Sequence, residues 1–146
     1  MDIIDQEIIN LLKKDSRMTA SSISKKVNLS IPAVTERINK LDKLNIITNY
    51  TIKLNRKKLG YKLIAFICVV LEQAADIQYF RNEILKLNSV MECHHVAGQY
   101  DYILKICVRD TDDLENFLMN HLKKIKGVAS SNTLISLSVL KEDVNI

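Results

Sequence analysis

The stretch "NLSIPAVTERINKLDKLNII", residues 28–47, decides the reading of this chain. Val34, Ile38 and Leu41 recur at i, i+4 and i+7, which places them on one side of an α-helix. Ser30 stands where a hydroxyl caps the first turn, and Pro32 falls where a missing N–H costs little. Asn45 is placed to end the helix in the left-handed conformation that Asn tolerates. The opposite side carries Thr35, Glu36, Asn39, Lys40 and Lys43. A merely solvated helix would look the same, so the decision rests on the surroundings.

Upstream, Ile4, Ile8, Leu11 and Leu12 form an apolar helical stripe, and Thr19 is placed to cap a short helix, "ASSISKKV", with Ile23 and Val27 inward. A short helix, a turn of three residues and a longer helix in series make a helix-turn-helix. Downstream, "NIITNYTIKLN" (45–55) alternates and is rich in Ile, Thr and Tyr, so it predicts a strand or short hairpin, the wing. In a winged helix the second helix of the pair enters the major groove. Asn39 then suits adenine, and Glu36 suits the amino group of cytosine. Ser21, Ser22, Lys25 and Lys26 suit phosphates, and the wing adds Lys53, Arg56 and Lys57. Ser30, Ile31, Pro32, Ala33, Thr35 and Lys40 complete the expected DNA face. Arg37 flanks the buried stripe, so two roles stay open: phosphate contact, or an internal pair with a carboxylate such as Glu7 or Asp42.

Charge agrees with this placement. Residues 1–60 hold 12 Lys and Arg against 6 Asp and Glu, and residues 61–146 hold 9 against 11. The basic excess lies wholly in the first part, which points to an anionic partner there. No apolar run is long enough to span a membrane, and "MDIIDQEII" is acidic and amphipathic, unlike a secretion signal. Cys68, Cys93 and Cys107 lie in strand-like runs, an odd and scattered set that reads as reduced thiols of a cytoplasmic protein.

From residue 61 the texture changes. "KLIAFICVVLE" predicts a strand, "DIQYFRNEILKL" a helix, "VMECHHVAG" and "YDYILKICVR" a hairpin turning at Gly98–Gln99, "DTDDLENFLMNHLKKI" a helix, and "NTLISLSVL" a last strand. That order is the βαββαβ of a ferredoxin-like unit. The expectation is therefore an α+β chain: a winged helix over 1–54, a linker over 55–60 and a ferredoxin-like domain over 61–146. In the first strand Ile64, Phe66, Cys68 and Val70 alternate with Leu63, Ala65, Ile67, Val69 and Leu71, so both faces are apolar. Helices can cover one, and a second copy of the chain is the simplest cover for the other.

Three longer stretches resemble one family. "DQEIINLLKKDSRMTASSISKKVNLSIPAVTERINKLDKLNIITNYT", "VAGQYDYILKI" and "KGVASSNT" are similar, in order and separation, to the Lrp/AsnC (feast/famine) transcription regulators. Ile31 departs from the Pro, and Asn45 from the Gly, that many members carry. The resemblance implies a sequence-specific regulator that binds double-stranded DNA, assembles as dimers into octamers or similar forms, and responds to an amino acid or related metabolite. The effector loop would fall on Gly98, Gln99, Tyr100, Asp101 and Tyr102. There Asp101 could meet an ammonium, main-chain N–H groups near Gly98 a carboxylate, Tyr100 and Tyr102 a side chain, and Thr133 could add a hydroxyl. A structural reading competes: Gly98 turns the hairpin, Asp101 caps it and the tyrosines pack.

Two other functions compete with the regulator. An architectural DNA-wrapping protein would share the helix-turn-helix and lack the effector. A small ferredoxin-like enzyme would need a nucleophile with its base, paired carboxylates or a Gly-rich phosphate loop, and the sequence offers none. No cofactor is expected. "ECHHV" puts Cys93 and His95 on one strand face and His94 on the other, a poor start for a metal site of about four ligands.

Overall fold

The computed structural model describes residues 1–143. The chain divides into two compact units, one holding Met1–Leu54 and the other Asn55–Glu142.

The first unit is three helices: α1 (Ile3–Lys14), α2 (Ala20–Val27) and α3 (Ile31–Lys43). Each begins where a side chain satisfies an orphan N–H. Asp2 and Asp5 form a reciprocal capping box on α1. The Thr19 hydroxyl accepts from the Ser22 N–H, and the Ser30 hydroxyl accepts from the Ala33 N–H. Asn28 and Asn45 adopt φ of 53° and 52°, so each Asn closes a helix in the left-handed region. After Asn45, the Ile46 N–H returns to the Leu41 carbonyl. Ile8, Leu12, Ile23, Val27, Val34 and Leu41 form one buried cluster, with Ile4 and Ile38 against it. The helix-turn-helix is thus as expected, with Asn28, Leu29 and Ser30 as the turn.

The strand expected over 45–55 does not form. Residues 48–55 run without a ladder, with Tyr50, Ile52 and Leu54 exposed. An isolated β-prone segment has no neighbouring strand in its own unit, and strand propensity without a partner satisfies no backbone group. Residues 55–61, which take in the expected linker of 55–60, are ordered as a turn. The Leu59 N–H reaches the Asn55 carbonyl and the Tyr61 N–H reaches the Arg56 carbonyl, closing a helical turn that opens the second unit.

In the second unit β1 (Leu63–Leu71), α4 (Ile77–Ile84), β2 (Val90–His95), β3 (Tyr102–Val108), α5 (Thr111–Asn116) and β4 (Val128–Ile135) give the βαββαβ order. The sheet order is β2-β3-β1-β4, with every neighbouring pair antiparallel. α5 begins at Asp110, whose carboxylate accepts from the Asp113 N–H, and continues as a wide π turn over Phe117–His121 and a 3₁₀ turn over Leu122–Lys124. β4 starts and ends earlier than the 132–140 expected. Its register is fixed by pairing with Ala65–Leu71 of β1, and past Ile135 a single further bond, from the Ser136 N–H to the Ile64 carbonyl, continues toward the start of β1.

Both helices cover the same face. Ala65, Ile67, Val69 and Leu71 of β1 pack with Tyr102, Leu104, Ile106 and Val108 of β3 beneath Phe80, Ile84, Leu114, Phe117 and Leu122. The other face holds Ile64, Phe66, Cys68 and Val70. Ile64 and Cys68 are buried, whereas Phe66 is 38% exposed and Leu134, paired to it across β1 and β4, is 55% exposed. Lys105 crosses this face, held by Glu92 at 3.0 Å and Glu142 at 2.6 Å.

Candidate nucleic-acid interface and ligand site

The inner side of α3 is fixed by the Val34–Leu41 burial, so its outer side is presented as a unit. Ile31, Pro32, Thr35, Glu36, Asn39, Lys40, Lys43 and Leu44 line one shallow groove along it. Among the described residues no hydrogen bond or ion pair holds the side chains of Glu36, Asn39, Lys40 or Lys43. The Thr35 hydroxyl donates back to the Ile31 carbonyl at 3.0 Å, which turns its methyl group outward. Ser21, Lys25 and Lys26 are exposed on α2, and Ser22 is held to the Thr19 hydroxyl at 3.0 Å. Ser30 spends its hydroxyl on the Ala33 N–H, and Ala33 is half-buried, so the two shape the helix start rather than offer polar atoms. Lys53 is exposed in the extended segment after α3.

Arg37 departs from the expected DNA face. Its Nη1 donates to Asp2 at 2.7 Å and Asp5 at 2.6 Å, and Asp5 is buried. The partners are neither Glu7 nor Asp42; Asp42 instead accepts from the Tyr50 hydroxyl at 3.3 Å. Asp2 and Asp5 are brought together by the capping box, so they form an anionic pair at the start of α1 within reach of the flank of α3. The capping N–H of Asp5, then Arg37, holds the Asp2 carboxyl below its ordinary range, and the N–H of Asp2, then Arg37, does the same for Asp5. The carboxylates, Asp2 foremost, raise Arg37 in turn. Arg37 therefore clamps α3 to α1 through Nη1, which realises the internal pair among its two expected roles, with partners from the start of α1.

The hairpin residues converge less than expected. Gly98 takes a positive φ of 152° at the turn, and Gln99 is exposed. Asp101 is tied to the end of β1: its Oδ2 accepts from the Leu71 N–H at 2.7 Å and its own N–H donates to the Val69 carbonyl. Tyr100 is half-buried, and its hydroxyl accepts from Asn132 at 3.3 Å. Tyr102 does not wall a ligand. It is 2% exposed, packed between Phe80 at 4.7 Å and His95 at 4.9 Å, and its hydroxyl accepts from Arg81 Nε at 2.8 Å. Strand alternation turns it into the core with Leu104 and Ile106. Thr133 lies opposite Ile67 on the helix-covered side, whereas Asn132 lies opposite Cys68 on the open side. Alternation thus separates Thr133 from Tyr100, and Asn132 is the β4 residue that meets the Tyr100 hydroxyl. The signal for Asn132 is the same "KGVASSNT" segment, shifted by one residue in phase.

His94 pairs with Glu92 at 3.1 Å on the open face, while His95 stacks on Tyr102. Among the described residues no three His, Cys, Asp or Glu side chains are grouped to hold a metal ion.

Comparison with known proteins agrees with this division of labour. Residues 1–48 match a model for winged helix-turn-helix DNA binding, and residues 64–146 match the Lrp/AsnC ligand binding domain. An HTH-type transcriptional regulator of Pyrococcus furiosus is 34% identical over 146 residues, covering 100% of this chain and 97% of the relative. The leucine-responsive regulatory protein of Escherichia coli is 33% identical over 144 residues, covering 97% and 88%. The solved structure of Escherichia coli AsnC superposes with a TM-score of 0.93 at 27% identity, covering 97% of this chain and 95% of that one. With its two halves matched in order and relatives aligned end to end, this chain belongs to the Lrp/AsnC family and is a DNA-binding transcription regulator.

Proposed function

We infer that α2 and α3 read a specific duplex site, that the protein works as a homodimer assembling into octamers or similar forms, and that it acts in the cytoplasm without enzymatic activity. Residues 1–54 carry DNA binding, residues 55–60 connect, and residues 61–146 carry oligomerisation and effector response. The observation that carries this reading is the outer side of α3, where Glu36, Asn39 and Lys40 stand without hydrogen-bond or ion-pair partners among the described residues, on a helix whose other side is locked. Side chains held out in that way meet base edges, or for a lysine the adjoining phosphates, when the helix lies in the major groove. Ser21, Ser22, Lys25 and Lys26 meet the flanking phosphates. A two-fold dimer then places two helices about one helical turn, or a multiple of it, apart on the DNA.

Dimerisation through the open sheet face is supported by exposed Phe66 and Leu134 at its centre, since apolar surface of this kind is covered in an assembly. The effector is a small amino acid or related metabolite bound at the Gly98–Asp101 hairpin, as the family's ligand binding domain and a leucine-responsive relative suggest. Asp101 Oδ1 and the exposed main chain at Gly98–Gln99 remain to receive it. The competing reading, a DNA-wrapping protein without an effector, draws on the same hairpin: Asp101 Oδ2 already serves Leu71, and Tyr102 is sealed in the core.

The deciding experiment is a thermal-shift screen of the twenty amino acids, run beside binding of the protein to its own promoter DNA. Salt-sensitive promoter binding with a change on adding one amino acid supports the regulator in full. Promoter binding with no response to any amino acid leaves the architectural protein. No salt-sensitive promoter binding refutes the assignment of α3.

A further inference from the structure

A cavity lies at the end of β3 remote from the Gly98 hairpin. β3 rises about 3.4 Å per residue, so the two places are about 20 Å apart. The cavity has a volume of about 330 Å³ and is floored by Val108 and Phe117, both buried. The π turn that begins at Phe117 widens the helix along its wall, and such turns recur at binding sites.

Most polar side chains around it can donate: Tyr61, Ser89, Arg109, Asn116 and His121. Asp113 is the one carboxylate among the described lining residues, and it is fully engaged: Arg109 Nε and Nη2 grip its two oxygens at 2.6 and 2.8 Å, and the Arg109 N–H adds a third bond. That grip leaves Arg109 Nη1 unpaired. The Asn116 carbonyl oxygen accepts from Asn120 at 2.8 Å, which leaves the Asn116 NH₂ for another acceptor. The Tyr61 hydroxyl and the His121 ring have no hydrogen-bond partner among the described residues. Burial pushes the Cys107 thiol up, so it brings no negative charge. A cavity with an apolar floor, several side chains able to donate and a carboxylate balanced by Arg109 suits a ligand with an acceptor head group and an apolar body.

We propose that this cavity binds a small organic carboxylate, its head group on Arg109, Asn116, Tyr61 and His121 and its apolar body on Phe117 and Val108. Phe117 and His121 already hold their rings 6.2 Å apart, which sets an aromatic or branched aliphatic body beside the imidazole. The site lies apart from the hairpin, at the other end of β3.

The test is an NMR titration of the full-length, ¹⁵N-labelled protein with benzoate, and with benzamide as its neutral counterpart. Binding predicts benzoate shifts concentrated at the Asn116 side-chain amide, Arg109 Nε–H and His121, with Kd below about 10 mM, a weak but specific range. Asn116→Asp and His121→Glu, both at exposed positions, should each weaken benzoate by about tenfold or more by setting a carboxylate against it. Benzamide binding as tightly as benzoate overturns the proposal. So do shifts centred on Gly98–Asp101, shifts spread over surface lysines, or unchanged affinity in both variants. The titration uses no DNA, so its failure leaves the α3 assignment intact.

Discussion

Lys25→Ala separates the proposed phosphate contacts from base reading. α2 and α3 present four exposed lysines, Lys25, Lys26, Lys40 and Lys43, with no ion-pair partner among the described residues. A dimer doubles that set. If each lysine neutralises one phosphate, log K against log salt should fall with a slope of about −7. Between 50 and 200 mM salt the affinity would then drop by about 10⁴. Lys25→Ala removes two contacts per dimer, so the slope should flatten by about 1.8, and binding at 0.1 M salt should weaken about 60-fold on any duplex. Asn39→Ala should behave differently. It leaves the slope unchanged and loses about 1–3 kcal/mol of discrimination at one base pair of each half-site. Fluorescence anisotropy of labelled promoter and scrambled duplexes, over a salt series, measures both quantities. A wild-type slope shallower than about −3, or a Lys25→Ala slope equal to wild type, refutes the placement of α2 on the phosphates.

Gly127 sits at φ 89°, and a Cβ there would collide with the Asp76 side chain, so Gly127→Ala should cost about 2–4 kcal/mol in urea unfolding; a loss under about 0.5 would show that the loop simply shifts. The lowered Asp2 and Asp5 carboxyls contribute stability above their ordinary value of 3.8 that is lost as pH falls through the lower folded-state values. Arg37→Met should therefore melt lower at neutral pH, and its gap to wild type should narrow in acid; a pH-independent gap would assign Arg37 to packing alone. Phe66→Glu should leave the monomer fold intact by circular dichroism and weaken the dimer about 1,000-fold by sedimentation, taking about 2 kcal/mol from each copy; an unchanged dimer moves the interface elsewhere.

The helices are legible in the sequence because their signals are local. Thr19, Ser30, Asn28 and Asn45 each set a helix end by contacts within a few residues, and the apolar stripes need no knowledge of the partner helix. What escapes the sequence is non-local. The 45–55 segment has strand composition, but a ladder needs a neighbour that the composition cannot supply. Both alternating sets of β1 are apolar, so only the placement of α4 and α5 decides that Ala65, Ile67, Val69 and Leu71 lie under the helices. Arg37 meets Asp2 from 35 residues away. No spacing rule points there, although the capping box that gathers Asp2 and Asp5 can be read in the first six residues.

The two candidate sites differ in the same respect. On α3, residue type and proposed role coincide because nothing among the described residues competes for Glu36, Asn39 or Lys40. A helix face that buries its other side leaves such groups to solvent or to a partner. At the hairpin, the fold uses the same groups that a ligand would need. Asp101 closes the end of β1, Tyr102 fills the core and meets Arg81, and Thr133 is turned away by the two-residue period of β4. Strand alternation counted outward from Leu104 and Ile106 assigns Tyr102 to the core on the sequence alone. Counted from Cys68 across to β4, it puts Asn132 on the face where Tyr100 ends. The effector response therefore depends on what these groups leave over: one Asp101 oxygen, the main chain around Gly98, and the Tyr100–Asn132 pair. Asp101→Asn tests that remainder directly, because the amide keeps an acceptor oxygen for the Leu71 N–H and removes the charge an ammonium would seek. Thermal stability close to wild type with loss of any amino-acid response assigns the charge to the ligand, whereas an amino-acid response unchanged in Asp101→Asn assigns Asp101 to the hairpin alone.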